Sequence, residues 1–300
     1  MWARLGLAAL NILAPGAGML RLGEGRLAAA FLIAPLASVG AVLLLFAALP
    51  ELSFGALLVV LGLLALVTLG ALVGAIVLTW MRSAHREAPR PPYARWYVIL
   101  LAVLGTIAAG DLLATAAHRF YKPFYLPSEA MAPTLLKNDR IVAAMWSPSA
   151  IRRGEVILFR LGSSVYVKRV AGLPGDRIAV RNGVVTLNDI EIPQRYERDE
   201  PNVSSYGPPT VRRLRETFPG EGASHEIYDA GPSPEDDYPE TLVAPGHLFV
   251  LGDNRDNSAD SRVARADGGV EQLPVADVLG RALYYSYGPS HRAGQRINPE

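Results

Sequence analysis

Three long apolar stretches with one charge among them limit what the first part of this chain can become. Leu27–Leu49 and Phe54–Trp80 carry no ionisable side chain, and Trp96–Ala117 carries only Asp111. A membrane-crossing helix needs roughly 20 apolar residues at about 1.5 Å rise each. In lipid, a single segment satisfies its own backbone only as a helix. Residues 1–118 hold no lysine and only four acids, Glu24, Glu51, Glu87 and Asp111, while most of the charge lies beyond. That break predicts a membrane domain over 1–118 with spans at about 27–49, 54–80 and 96–117, then an extracytoplasmic domain over 119–300.

The stretch Leu5–Leu20 is shorter and is interrupted by Asn11, Pro15 and Gly16, so it reads as an interfacial or re-entrant piece rather than a span or a cleaved leader. Arg4, Arg21 and Arg26 precede the first span, and Arg82, Arg86, Arg90 and Arg95 fall between the second and third. Arginine marks the cytoplasmic side. Three crossings then place everything after residue 118 outside. Asp111 is either an intramembrane functional acid or an acid near the outer end of its span, hydrated or bonded to Thr115. The net charge of +1 in 300 residues gives no case for nucleic acid. The absence of cysteine excludes disulfides and thiolate metal sites, and no His, Asp or Glu spacing suggests a metal or other cofactor.

After residue 119 the pattern changes to short strands with turn signals, the mark of a mainly-β domain. Candidate strands are Ile141–Trp146, Glu155–Arg160, Val165–Val170, Arg177–Arg181, Val184–Leu187, His247–Leu251 and Val278–Tyr287. Asn182-Gly183 predicts a two-residue hairpin turn, because both residues accept positive φ. Residues 191–243 are rich in Pro, Glu, Asp, Arg and Gly and read as a partly ordered insertion, and His291–Glu300 reads as frayed surface.

Three local runs carry the chemistry. They are Pro127-Ser128-Glu129-Ala130-Met131-Ala132-Pro133-Thr134, Tyr166-Val167-Lys168-Arg169, and the eleven residues Gly252–Arg262. The histidines are scattered, so Lys168 is the only base set within a motif. A lysine accepts a proton only when neutral, and burial lowers its ordinary pKa of about 10.4. In a strand, Tyr166, Lys168 and Val170 share one face, leaving Arg169 on the other to meet an acid. The acids of Gly252–Arg262 lack the glycine and terminal glutamate of an EF-hand calcium loop.

In this order and after a membrane anchor, the three runs resemble the type I (bacterial leader) signal peptidases. The likeness covers roughly Tyr125 to Tyr285, and Gly172-Leu173-Pro174-Gly175-Asp176 matches the family's turn after the lysine strand. The resemblance implies a signal-peptidase-like β fold and a Ser-Lys dyad that cuts signal peptides from secreted preproteins at the outer face of the bacterial inner (cytoplasmic) membrane. The implied partners are preprotein signal peptides and the lipid bilayer. Position 130 is then the nucleophile position and Lys168 the general base. Ser128 and the N–H of residue 130 form the oxyanion hole, and Ser258 orients Lys168. Arg169 pairs with Asp253, and Asp260 with Arg262. Met131 and Tyr166 line the substrate site. Phe120, Tyr121, Phe124, Tyr125 and Leu126 fall either where aromatic side chains meet a membrane surface or in ordinary β core.

One residue departs from the pattern, which reads Pro-Ser-x-Ser-Met-x-Pro-Thr. Ala130 stands where the attacking serine belongs, and alanine has no oxygen to attack a carbonyl. The expectation is a catalytically silent chain. Intact Lys168, Ser258 and Asp260 suit a serine-to-alanine change made to stop turnover. The competing reading is a natural relative that binds signal peptides or partners without cutting. A self-cleaving regulator of the repressor type shares the dyad but lacks three spans.

Overall fold

The computed structural model describes residues 2–48, 52–84, 95–145, 151–204, 207–218 and 224–297. The chain divides into two compact units, residues 1–120 and 121–300.

The first unit is helical: α1 (Trp2–Leu13), α2 (Ala17–Leu22), α3 (Gly25–Ala48), α4 (Phe54–Arg82) and α5 (Trp96–Ala117). The last three are long and apolar enough to cross a membrane, over 22, 29 and 21 residues. Leu5–Leu20 becomes two short helices instead of one, and Asn11 explains the break. It is fully buried, and its amide nitrogen reaches Thr79 Oγ1 on α4 at 3.0 Å. Its oxygen accepts the N–H groups of Gly16 and Gly18 at 2.9 and 3.1 Å. One side chain thus satisfies the backbone donors that open α2, which lipid cannot do. Gly18 must stay small: a β-carbon there would lie 2.3 Å from the Leu7 carbonyl oxygen. Asp111 is exposed on α5.

The second unit is mainly β. Its strands are β1 (Tyr121–Tyr125), β2 (Arg140–Ala144), β3 (Val156–Leu161), β4 (Ser164–Gly172), β5 (Arg177–Arg181), β6 (Val184–Leu187), β7 (Ile190–Glu191), β8 (Gln194–Pro201), β9 (Thr210–Thr217), β10 (Ser224–Asp229), β11 (Tyr238–Leu242), β12 (His247–Leu251), β13 (Leu273–Pro274) and β14 (Val278–Tyr287). A seven-stranded antiparallel sheet runs β1-β2-β14-β3-β4-β12-β13, beside a four-stranded sheet β11-β5-β6-β7 and a three-stranded sheet β10-β9-β8. Asn182 and Gly183 close β5 onto β6 with φ of 48° and 77°, as the hairpin signal requires. Leu126, Met131, Leu135, Ile141, Val156 and Leu158 form a core on one side of the large sheet. Ile157, Phe159, Val170 and Val250 form another. Trp146, the end of one expected strand, lies outside the described residues.

The partly ordered insertion expected at 191–243 supplies, among its described residues, four strands, β8 to β11. The apolar pattern hides this because the visible glue is charge. Arg213 on β9 reaches Glu200 on β8 and Glu226 on β10, and Arg215 reaches Glu197 and Glu226. Cross-strand pairs of opposite charge stabilise a sheet without apolar runs, while Val211, Leu214, Glu216 and Phe218 turn inward. The tail, described through Ile297, is not frayed. Ile297 is 6% exposed in the core, and its N–H donates to Leu283 of β14 at 2.8 Å.

Candidate active site

Lys168 lies on β4 opposite Ile157 of β3. Its side chain is only 3% exposed. It borders a cavity of about 420 Å³ whose wall includes Leu126, Ser128, Ala130, Met131, Tyr166 and Ala259. Burial pulls its pKa down to about 8, against the upward pull of Asp260, while Arg262 adds to the depression. Its amine donates to Ser258 Oγ at 2.7 Å. About a tenth of this amine is therefore neutral at pH 7 and about half at pH 8, the form in which it accepts a proton.

The strand alternation sends the neighbouring arginine the other way. Arg169 holds Asp253 with two hydrogen bonds of 2.8 and 2.6 Å, and donates to the Gly154 carbonyl and to Thr134 Oγ1. Both charged side chains are nearly fully buried, at 3% and 1% exposure. Burial alone would raise the Asp253 carboxyl, but the guanidinium outweighs it and holds the group below the usual carboxylate range. Asp260 behaves likewise beside Arg262, which binds it at 3.0 and 2.9 Å. Asp260 also accepts the Gly252 N–H at 3.0 Å, fixing the loop that carries Ser258.

Ala130 sits in the turn after β1, with its carbonyl held by the Asn254 N–H at 3.1 Å. Gly252 permits that approach. A β-carbon there would lie 2.1 Å from Ser258 Oγ and 2.6 Å from the Ala130 oxygen. Met131 is buried at 4% exposure and shares the cavity wall with exposed Ser128. Tyr166 also lines it, its ring stacked on Phe159 with centroids 5.9 Å apart. A wider groove of about 820 Å³ runs past His247, Arg262 and Arg265. It is open and contains no lysine, and its Ser261 hydroxyl is spent on the Val250 N–H. The smaller cavity is the candidate site.

The structure brings together Lys168, Ser258, Ala130, Ser128, Met131 and Tyr166 around or beside one cavity, with Asp253, Arg169, Asp260 and Arg262 bracing the strands and loop behind it. Sequence reasoning missed Thr134, Asn254, Arg255, Glu216 and His225. The first three lie within the motifs and needed only a partner to be noticed. Glu216 and His225 lie in the stretch read as insertion, where no local signal marks them. Glu216 is fully buried and pairs with Arg255. His225 Nε2 lies 3.3 Å from Glu216, an ion-pair distance outside hydrogen-bond geometry.

The chain thus joins three helices long and apolar enough to cross a membrane to a mainly-β unit in which a lysine amine is buried against Ser258. The family model described as signal peptidase, peptidase S26, matches residues 94–287, and the chain belongs to that family. It is 30% identical over 200 residues to signal peptidase I U of Bacillus subtilis (strain 168), covering 64% of this chain and 91% of that protein. It is 33% identical over 177 residues to signal peptidase I of Rickettsia prowazekii (strain Madrid E), covering 47% of this chain and 64% of that one. A solved signal peptidase I from Enterococcus faecalis V583 is 22% identical over 45% of this chain and 98% of its own, with a TM-score of 0.27.

Proposed function

We propose that this chain is a signal peptidase I built on a Ser-Lys dyad, with Ala130 at the position of the attacking serine. The observation that carries the reading is the buried Lys168 amine, depressed to about 8 and bonded to Ser258, on the wall of an apolar cavity that Ala130 also lines.

With serine at 130, the neutral Lys168 amine takes the hydroxyl proton as Oγ bonds to the scissile carbonyl carbon. The oxyanion meets the residue-130 N–H and the Ser128 hydroxyl. Collapse breaks the peptide C–N bond, and the lysine proton passes to the leaving amine. Water, deprotonated by the same amine, then releases the acyl group. Alanine removes the first bond-forming atom, so this chain binds substrate without cleaving it. Ser128 does not substitute, because a displacement of about 1 Å costs roughly 100-fold. The substrate is the signal peptide of a secreted preprotein, with Met131 and Tyr166 in the substrate wall.

The arginine distribution supports a multi-pass bacterial inner-membrane protein with the peptidase unit outside. The test is cleavage of a labelled preprotein by the present chain and by Ala130→Ser. The expected gain is roughly a million-fold, the scale on which a serine nucleophile acts. No product after restoration overturns the reading in favour of a non-catalytic binder.

A further inference from the structure

The sheet β8-β9-β10 meets the loop after β12 through a small set of contacts that end at residue 130. Tyr228 of β10 forms a bridge with Asn254. Its N–H donates to the Asp253 carbonyl at 2.8 Å, and the Ala230 N–H donates to Asp256 at 2.6 Å. Between these elements runs Arg255, which is 5% exposed. Its two terminal nitrogens bind both oxygens of Glu216 on β9, one of them at 2.9 Å. Its Nε donates to the Gly252 carbonyl at 3.0 Å, and its own carbonyl accepts from Arg262 at 2.5 Å. Gln194 of β8 donates to Glu216 at 2.8 Å and to the Gly183 carbonyl at 3.1 Å. The same loop then touches the site: Gly252 lies against Ser258 and the Ala130 carbonyl, and Asn254 donates to that carbonyl.

We propose that Glu216 and Arg255 are positioning residues, through which the sheet β8-β10 holds the Gly252–Asn254 backbone and so fixes both residue 130 and the Ser258 partner of Lys168. This rests on the signal-peptidase reading above. The physical reason is the direction of the bonds. An ion pair serving stability alone has no need of a third bond to the backbone of the site loop, yet Arg255 spends its Nε on Gly252. Burial would raise the Glu216 carboxyl, but Arg255 holds it well below the carboxylate range, so the pair stays charged and directional through neutral pH. His225, stacked on Phe218, closes the other side, and its own pKa is lowered, by burial first and then by Arg169, so that it stays neutral there.

The test uses the full chain with Ala130→Ser and three further variants: Glu216→Gln, Arg255→Met, and the double Glu216→Met with Arg255→Met. Glu226→Gln, which cuts ion pairs on the same sheet without touching the loop, is the control. Each single change is expected to lower kcat by about 30- to 100-fold with KM changed less than about threefold, the cost of a small misplacement of reacting groups. The double variant recovers thermal stability, since an apolar pair tolerates burial, but not kcat. Recovery of kcat in the double variant overturns the proposal, because the pair would then be structural only.

A second measurement needs no turnover. The chain has three lysines, Lys122, Lys137 and Lys168, so trace acetylation of the present Ala130 chain across pH reads Lys168 by peptide mass. A loosened loop lets water reach the amine. The labelling midpoint is expected to rise in Glu216→Gln and to stay in Glu226→Gln. A midpoint unmoved by Glu216→Gln overturns the proposal. If Ala130→Ser is inactive while the midpoint moves, the catalytic reading fails and the positioning role stands.

Discussion

Arginine-carboxylate pairs occur in two settings in the β unit, and they do different work. Behind the site, Arg169–Asp253 and Arg262–Asp260 are 3% exposed or less on both partners. Along the sheet β8-β10, Arg195, Arg198 and Arg212 stand 74%, 58% and 54% exposed beside their acids. Exposed pairs are screened and lose side-chain freedom, so their net worth is about 0–1 kcal/mol each. Buried pairs add little net stability as pairs, but removing one partner strands a charge in a dry interior. The count of ion pairs therefore misleads. The buried pairs fix geometry, and the exposed ones help an apolar-poor sheet to close.

The sharpest way to break this contrast is Asp253→Asn. It leaves the Arg169 guanidinium buried without its counter-charge, and the expected loss is about 3–5 kcal/mol by urea unfolding. A loss below about 1 kcal/mol would place Arg169 in the exposed class.

Acid is expected to act next. Asp253, Asp260 and Glu216 all have folded pKa values held below the ordinary carboxylate range. The unfolded chain takes up protons first as pH falls, so their contribution is complete above about pH 4 and is lost as pH falls through the folded values. A melting temperature that is flat from pH 6 to pH 3 would contradict that charge state.

Lys168 gives the same sign of pH dependence in a higher window, although here the charged form is the costly one. Its folded pKa of about 8 lies below the unfolded value, so between about 8 and about 10.4 the unfolded state holds a proton that the folded state lacks, and stability rises with pH. Below that window the buried charge costs about 3 kcal/mol, at 1.36 kcal/mol per unit. Lys168→Met is expected to recover roughly 1–2 kcal/mol of this at pH 6.5, less the lost Ser258 bond. The gain shrinks as pH rises toward 10. Equal stability of the two chains at every pH would show a hydrated amine. The smallest change is expected at an exposed pair: Arg212→Gln shifts stability by about 0.5 kcal/mol or less, and less again in high salt.

Much of this was legible in the residue order. The strands Arg177–Arg181, Val184–Leu187, His247–Leu251 and Val278–Tyr287 appear at the expected bounds because alternation or a turn dipeptide marked them. The opposite orientations of Lys168 and Arg169 follow from the period of two. What stayed hidden depends on partners far away in sequence. Glu216 looks like one more acid in a polar stretch until Arg255, 39 residues on, is seen against it. Strands β8 to β10 lack an apolar signal because Arg213 and Arg215 bind across them. Ile297 looked like tail because one apolar residue makes no pattern, yet it fills the core beside Tyr285. Asn11 could be read as a break but not as the hub that joins α1, α2 and α4.

The central claim is that a neutral, buried Lys168 amine serves the position now held by Ala130. The most direct test is the pH dependence of preprotein cleavage by Ala130→Ser. The expected result is product where the present chain gives none, with kcat/KM rising through an acid limb near pH 8, the value to which burial brings Lys168. Absence of product at every pH, or a rate indifferent to pH between 6 and 9, contradicts it.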